Sequence, residues 1–266
     1  MGENLTTLSV IILTKNEEEM IGECLASVKW ADEIVLIDDQ SDDKTCEIAK
    51  KYGAKVFSRK LKDFSDQRNF GAKQASSDWI LYLDADERVT PKLAEEIKKA
   101  INNSHFSAYR IVRKNFYFGQ TWPYKEKVIR LFRKGNFTGW YGELHESPRF
   151  SGKLGEFESE IVHFAHRNLT SMVTKTIDWS EIEARLRFQA GHPPVYWWRF
   201  PRVMLTTFFD YYLKQGGFKV GTVGLIESLY QSFSIFITYA RLWEKQKKDA
   251  ISPLAKDRYF PWKAQK

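Results

Sequence analysis

The sequence predicts an α/β fold: an open, largely parallel sheet covered by helices on both faces, continued by a helical appendage rich in aromatic residues. Three observations carry that prediction. Over the first hundred residues, apolar runs of strand length alternate with helical patterns, and such alternation builds a parallel sheet with crossover helices, a Rossmann-like arrangement. From Ser107 strands follow one another without helices, and from Leu169 the pattern is helical. Charge divides the chain in the same way: residues 1–188 carry 29 Lys+Arg and 29 Asp+Glu, whereas residues 189–266 carry 12 and 5, the whole net charge of +7, with 17 of the 40 aromatic residues.

The elements follow in order. Residues 8–13 (Leu-Ser-Val-Ile-Ile-Leu) read as a buried strand, and residues 17–28 set Met20, Ile21, Cys24, Leu25 and Val28 at helical spacing. Residues 33–38 form a second strand, after which Ser41 is expected to cap a helix with Asp42 and Asp43 in its first turn, where the helix dipole favours acids. A third strand is expected at 54–58, a helix at 65–75 and a fourth strand at 79–84. Thr90 and Pro91 then supply an N-cap and a first-turn proline for a helix over 92–101. Residues 108–113 and 127–133 alternate basic and apolar side chains as half-exposed strands do; the basic side chains of Lys127 to Arg133, with Arg110, Arg113 and Lys114, suit an acceptor bearing phosphates or acidic sugars, and 135–155 reads as irregular and glycine-rich. Helices are expected over 169–189, 200–214 and 223–244. The expected domains are 1–168, divided at 104/105, and 169–266.

An apolar fraction of 43% over 266 residues supports a packed core and excludes disordered, collagen-like and disulfide-scaffold proteins. Cys24 and Cys46 show no metal-ligand spacing and read as small hydrophobes of a reducing compartment. The N-terminus lacks the pattern of a secretion signal, so a cytoplasmic location is expected. The longest uncharged run in the appendage, Ser228 to Ala240, is short of the roughly 20 residues of a membrane span. Flanked by Trp197, Trp198, Arg199, Arg202, Lys245, Lys247 and Lys248, these helices suit monotopic attachment to an anionic membrane surface. Nucleic acid is not an expected partner, because the aromatics lie in apolar helical runs rather than between closely spaced basic residues.

In an open parallel sheet, ligands bind beyond the carboxyl ends of the strands. Those ends carry Thr14-Lys-Asn-Glu17, Asp38-Asp39-Gln-Ser41 and Asp84-Ala-Asp86-Glu87, so carboxylates converge and need donors or a cation between them. Asp-x-Asp after an apolar strand suits a divalent ion that keeps phosphate and water ligands. Neither GxGxxG nor GxxxxGK[ST] is present, which argues against dinucleotide oxidoreductases and P-loop kinases.

Thr14-Lys-Asn-Glu17, Ile37-Asp-Asp-Gln-Ser-Asp-Asp-Lys-Thr45, Gln67-Arg-Asn69 and Trp79-Ile-Leu-Tyr-Leu-Asp-Ala-Asp-Glu87 resemble, in order and spacing, the motifs of family 2 glycosyltransferases, inverting enzymes of the GT-A fold. Leu144-His-Glu146, Ile161-Val-His163 and the Gly216-Gly-Phe, Gly221, Gly224-Leu and Tyr239-Ala-Arg-Leu-Trp-Glu244 pattern resemble a narrower branch that includes lipopolysaccharide inner-core glucosyltransferases. The resemblance implies transfer of a hexose, glucose in that branch, from a nucleotide diphosphate sugar, UDP-sugar favoured, to a lipopolysaccharide-core or other lipid-linked saccharide, with Mg2+ or Mn2+. Polyprenyl phosphate is the alternative acceptor. Residue by residue, it implies that Thr14 and Glu17 line the nucleoside pocket and that Asp39 accepts a hydrogen bond from the base. Arg68 would meet the base or diphosphate and Asp84 the ribose. Asp86 would ligate the metal, with His163 a further candidate ligand. Inversion needs a base for the acceptor hydroxyl. Glu146 is the expected base, Glu143 its runner-up, and His145 a residue that could orient sugar or carboxylate. If 143–146 is extended, Leu144 and Glu146 share one face and Glu143 and His145 the other.

Overall fold

The computed structural model describes residues 6–103, 105–144 and 146–250, and these divide into two compact units, the first ending at Ala165 and the second beginning at His166. In the first unit β1 (Leu8–Thr14), β2 (Glu33–Asp38), β3 (Lys55–Ser58) and β4 (Trp79–Asp84) pair in parallel in the order β3-β2-β1-β4. Successive residues point to opposite faces. Val10, Ile12, Leu36, Leu81 and Leu83 therefore join one core, and Ile11, Val35, Ile37, Ile80 and Tyr82 the other. The first core is closed by α1 (Ile21–Ser27), α2 (Thr45–Lys51) and α4 (Pro91–Asn103), the second by α3 (Phe64–Gln74). With both faces covered, these strands carry continuous apolar runs, the pattern from which the parallel sheet was expected.

The sheet continues through β7 (Gln120–Arg133), β6 (Ala108–Tyr117), β10 (Leu154–His166) and β5 (Glu87–Val89). The β6–β7 turn is two residues long, Phe118 and Gly119, both at positive φ as a tight hairpin requires. The stretch expected to be irregular holds a small hairpin, β8 (Phe137–Tyr141) paired with β9 (Ser147–Phe150). Its glycines sit at positive φ, Gly139 at 138° within the strand, where the pairing shifts register after Phe137, and Gly142 at 106° just beyond it.

Ser41 does not cap α2. Its hydroxyl and N–H both go back to the Asp38 carboxylate, and Asp43 instead accepts from the N–H of Thr45 as the helix begins. By contrast Thr90 caps α4, its hydroxyl accepting from the N–H of Leu93. The expected helix over 17–28 is shorter, its first turn being drawn off as a loop by contacts to the α2 entry.

The second unit comprises α5 (Leu169–Gln189), α6 (Arg199–Phe209), a wide π-type turn over Asp210–Lys214 and α7 (Gly221–Ala250). Ala184, Val195, Tyr239 and Leu242 form its core. The glycine pattern has a steric cause: a Cβ on Gly224 would fall 1.8 Å from the carbonyl oxygen of Gly217, so the start of α7 closes onto the preceding turn only without a side chain. Glu227 is fully buried, its carboxylate taken by His166 and Gln231. The segment Gly217–Lys248 is long and apolar enough to cross a membrane by length and composition, longer than the separate runs read from sequence. Many large apolar side chains of this unit face outward, Trp197 at 80% exposure the most.

Candidate active site

The carboxyl ends of the parallel strands lie level, Thr14 beside Asp38 and Leu13 beside Asp84. This is the edge at which an open sheet binds ligands. Beyond it, Asn16 and Gln40 hold φ of 51° and 53°, a left-handed conformation that non-glycine residues keep only where the surroundings impose it. Asn16 is held by Ser41 and Asp42, linking the loops after β1 and β2.

Arg68 is the centre of the site. α3 starts from an Asp63 cap and is seated on the sheet at Gly71, where a Cβ would lie 2.5 Å from Cγ2 of Ile11. That close seating brings Arg68, one turn earlier, to the strand ends, buried between the rings of Trp140 and Tyr82 at 5.1 and 5.8 Å. Its Nε donates to Oε1 of Glu146 at 2.9 Å and its Nη2 to Oδ1 of Asp84 at 3.0 Å, while Nη1 is buried with no protein partner. Oδ2 of Asp84 accepts from Arg130 at 2.7 Å. Glu87, fully buried, faces Arg130 at 3.6 Å and Arg113 at 3.3 Å, and accepts the N–H of Asp84. Arg113 ends the chain on Glu126.

Seven side chains of alternating charge, from Glu146 to Glu126, thus run along the edge. Burial by itself would raise the Asp84 carboxyl, but Arg130 and Arg68 beside it hold it well below the usual carboxylate range. Burial would likewise lower Arg130, and Asp84 and Glu87 raise it instead. Both therefore stay charged at any working pH. Arg113 and Arg130, expected on a basic acceptor-facing strand surface, are turned into this network, and Arg110 and Lys127 are paired with Glu156 of β10.

Asp86 and His163 are brought together by β5, a strand absent from the sequence reading. It pairs His163 with Glu87, and the N–H of Phe164 bonds the carbonyl of Asp86 at 3.0 Å. Nε2 of His163 then stands 3.6 Å from Oδ1 of Asp86, and Nδ1 is 2.8 Å from Oδ1 of Asn115. An amide oxygen only accepts, so Nδ1 donates to Asn115 and this bond fixes the ring with Nε2 facing Asp86. Among the described residues, no three His, Cys, Asp or Glu side chains are grouped to hold a metal ion. Two donors, one oxygen and one nitrogen, fit an ion that fills its remaining positions with phosphate and water.

The other candidates lie as follows. Asp39 is bound by Lys15 at 2.8 Å and by the N–H of Leu61 at 2.7 Å, and Oγ1 of Thr14 is buried with no protein partner. Glu17 sits in the same loop pair, its N–H on Thr45. Leu144 is buried and Glu146 turned inward, whereas Glu143 is exposed and outside the Arg68 cluster. His145 lies outside the described residues. Asn69, not singled out as a site residue, positions the hairpin: it donates to the carbonyl of Trp140 and accepts its N–H, with Gly139 packed against it. That clamp carries Glu146 to Arg68.

The sequence model of glycosyl transferase family 2 matches residues 9–158. The chain belongs to this family. It is an inverting glycosyltransferase that uses nucleotide-sugar donors, on a GT-A fold with a helical appendage, related to bacterial glycolipid glycosyltransferases. An uncharacterized glycosyltransferase of Rickettsia typhi is 28% identical over 271 residues, covering 95% of this chain and 92% of the relative. The lipopolysaccharide core biosynthesis glycosyltransferase LpsC of Rhizobium meliloti is 25% identical over 255 residues, covering 90% and 92%. The crystal structure of S. aureus TarS 1–349 in complex with UDP-GlcNAc is similar over 91% of this chain and 92% of that one, with a TM-score of 0.46 and 15% identity.

Proposed function

We propose that this glycosyltransferase moves a hexose, glucose in the preferred reading, from a UDP-sugar to a lipopolysaccharide-core or similar lipid-linked saccharide at the cytoplasmic face of the membrane. The observation that supports it most is the pairing of Asp86 and His163 beside a buried Arg68 that has one nitrogen unpartnered. The match to LpsC over 90% of this chain supports the acceptor class.

In this reading Thr14 and Glu17 line the nucleoside pocket, Asp39 gives up part of its hold on Lys15 to accept the base N–H, and Asp84 faces the ribose. The free Nη1 of Arg68 receives a diphosphate oxygen. Asp86 and His163 would hold Mg2+ or Mn2+, which supplies neutralisation of the charge that builds on the leaving diphosphate. Glu146 is the base. Arg68 engages its Oε1, and Oε2 takes the acceptor's proton as that oxygen attacks the anomeric carbon from the face opposite the nucleotide. Glu143 is the runner-up, and His145 orients the sugar or the carboxylate. The second unit attaches to an anionic membrane surface.

The experiment is a paired acceptor assay with UDP-hexoses, resolving the product's anomeric configuration. The expected result is a lipopolysaccharide-core product of inverted configuration and no polyprenyl-phosphate sugar. Transfer to polyprenyl phosphate alone would overturn the acceptor assignment.

A further inference from the structure

Between α5 and α7 lies an open groove of about 550 Å3 whose base is formed by Val173, Thr176, Ile177, Phe233, Ile237 and Ala240. The one hydroxyl among these, on Thr176, is already bonded to Tyr230 at 2.7 Å, so the base offers no polar group in need of a partner. The charged side chains of the lining, Arg241 and Glu244, lie at one end. Arg241 and Lys245 meet there on Glu181 at 2.8 and 2.6 Å, and Lys248 pairs with Glu244. Together with Lys247 they exceed the two glutamates by two positive charges. Trp243 lies at the same end, half-exposed, with the ammonium of Lys247 6.0 Å from its ring.

We propose that this groove binds one acyl chain of a membrane phospholipid, with the anionic headgroup at the lysine-rich end. The dimensions agree with a single leaflet. From Phe233 to Glu244 the helix rises about 16 Å, against about 15 Å for half of a bilayer's hydrocarbon core. The polarity agrees as well: tryptophan and cations gather at one end only, as at a membrane interface, and α7 is apolar enough to lie within lipid. A protein helix seated in the groove would gain nothing from a cation excess restricted to one rim.

This inference rests on the membrane attachment proposed above, and the experiment separates the two. Full-length protein is mixed with phosphatidylethanolamine vesicles, with and without phosphatidylglycerol, whose acyl chains carry bromine at shallow or deep positions. The emission of Trp243 is isolated by subtracting the Trp243→Phe variant. The expected result is binding to the anionic vesicles with at least twofold quenching of Trp243 by shallow bromines. Ala240→Phe and, from the opposite wall, Ile177→Phe narrow the groove and should each abolish most of that quenching while vesicle binding and helical circular dichroism persist. Binding without quenching of Trp243, or quenching that both narrowing variants leave intact, overturns the groove and leaves attachment standing. A lipid-independent dimer that shields Trp243 from bromine also overturns it. Absence of binding to any vesicle overturns both readings.

Discussion

Arg68 shows how one side chain ties three functions together, since it touches the proposed base Glu146, the proposed ribose contact Asp84 and, through Nη1, the space left for a ligand. Such a cluster survives burial only because each charge is answered. Removing Arg130 strips the buried Oδ2 of Asp84 of its donor and leaves Arg113 as the cation facing Glu87, so Arg130→Met should lower stability by about 3–5 kcal/mol in urea unfolding. A loss below about 1 kcal/mol would show that the network relaxes without it. Glu146→Gln keeps an oxygen acceptor for Arg68 and removes only the basicity. We expect kcat to fall roughly 10²–10⁴-fold with donor KM little changed and folding intact, and near-normal turnover would dismiss Glu146 as the base.

At the scale of elements, the site depends on how closely α3 sits on the sheet. Gly71→Ala places a Cβ against Ile11 and should cost about 1–3 kcal/mol by overpacking. Because α3 carries Arg68, donor KM should rise as well, and unchanged KM in a destabilised variant would disconnect the helix from binding. β2 supplies a pH test. Burial of Glu33 would raise its carboxyl, but bonds from Lys55, Ser9 and the N–H of Ser76 lower it to about 2. A depressed carboxylate contributes stability above its unfolded value, near 4.3, that is lost as pH falls toward 2. Melting temperature should drop over that window in the parent, and drop less in Glu33→Gln. The parallel strands and the helices around them were legible because buried strands need uninterrupted apolar runs and α4 has an explicit Thr90-Pro91 start. β5 was not, since Glu-Arg-Val has no apolar period and exists only through its pairing with β10. Ser41 misled because Asp38 competes for its hydroxyl. Thr14, Asp39, Arg68, Asp84 and Asp86 were legible as strand-end and motif residues. Arg113 and Arg130 were misread because alternation says which residues share a face, not whether that face meets solvent or a buried Glu87.

At the scale of the whole molecule, a neutral α/β unit that gathers acids and arginines at one edge is joined to a basic helical unit with outward tryptophans. The charge is therefore expected to act at a surface rather than in catalysis. Partition onto anionic vesicles should exceed that onto zwitterionic ones and weaken in high salt without vanishing, because apolar insertion remains when charge is screened. Complete release by salt would assign the attachment to charge alone. The proposed place of nucleotide-sugar chemistry is the Asp86–His163 end of the sheet. It is tested most directly by nucleotide diphosphate release across UDP-, GDP- and ADP-hexoses, with Mn2+ or with chelator, in the parent and in Asp86→Ala. Release from a UDP-hexose should require the metal and be lost in Asp86→Ala. Undiminished release by folded Asp86→Ala protein, or release indifferent to chelation, would contradict it.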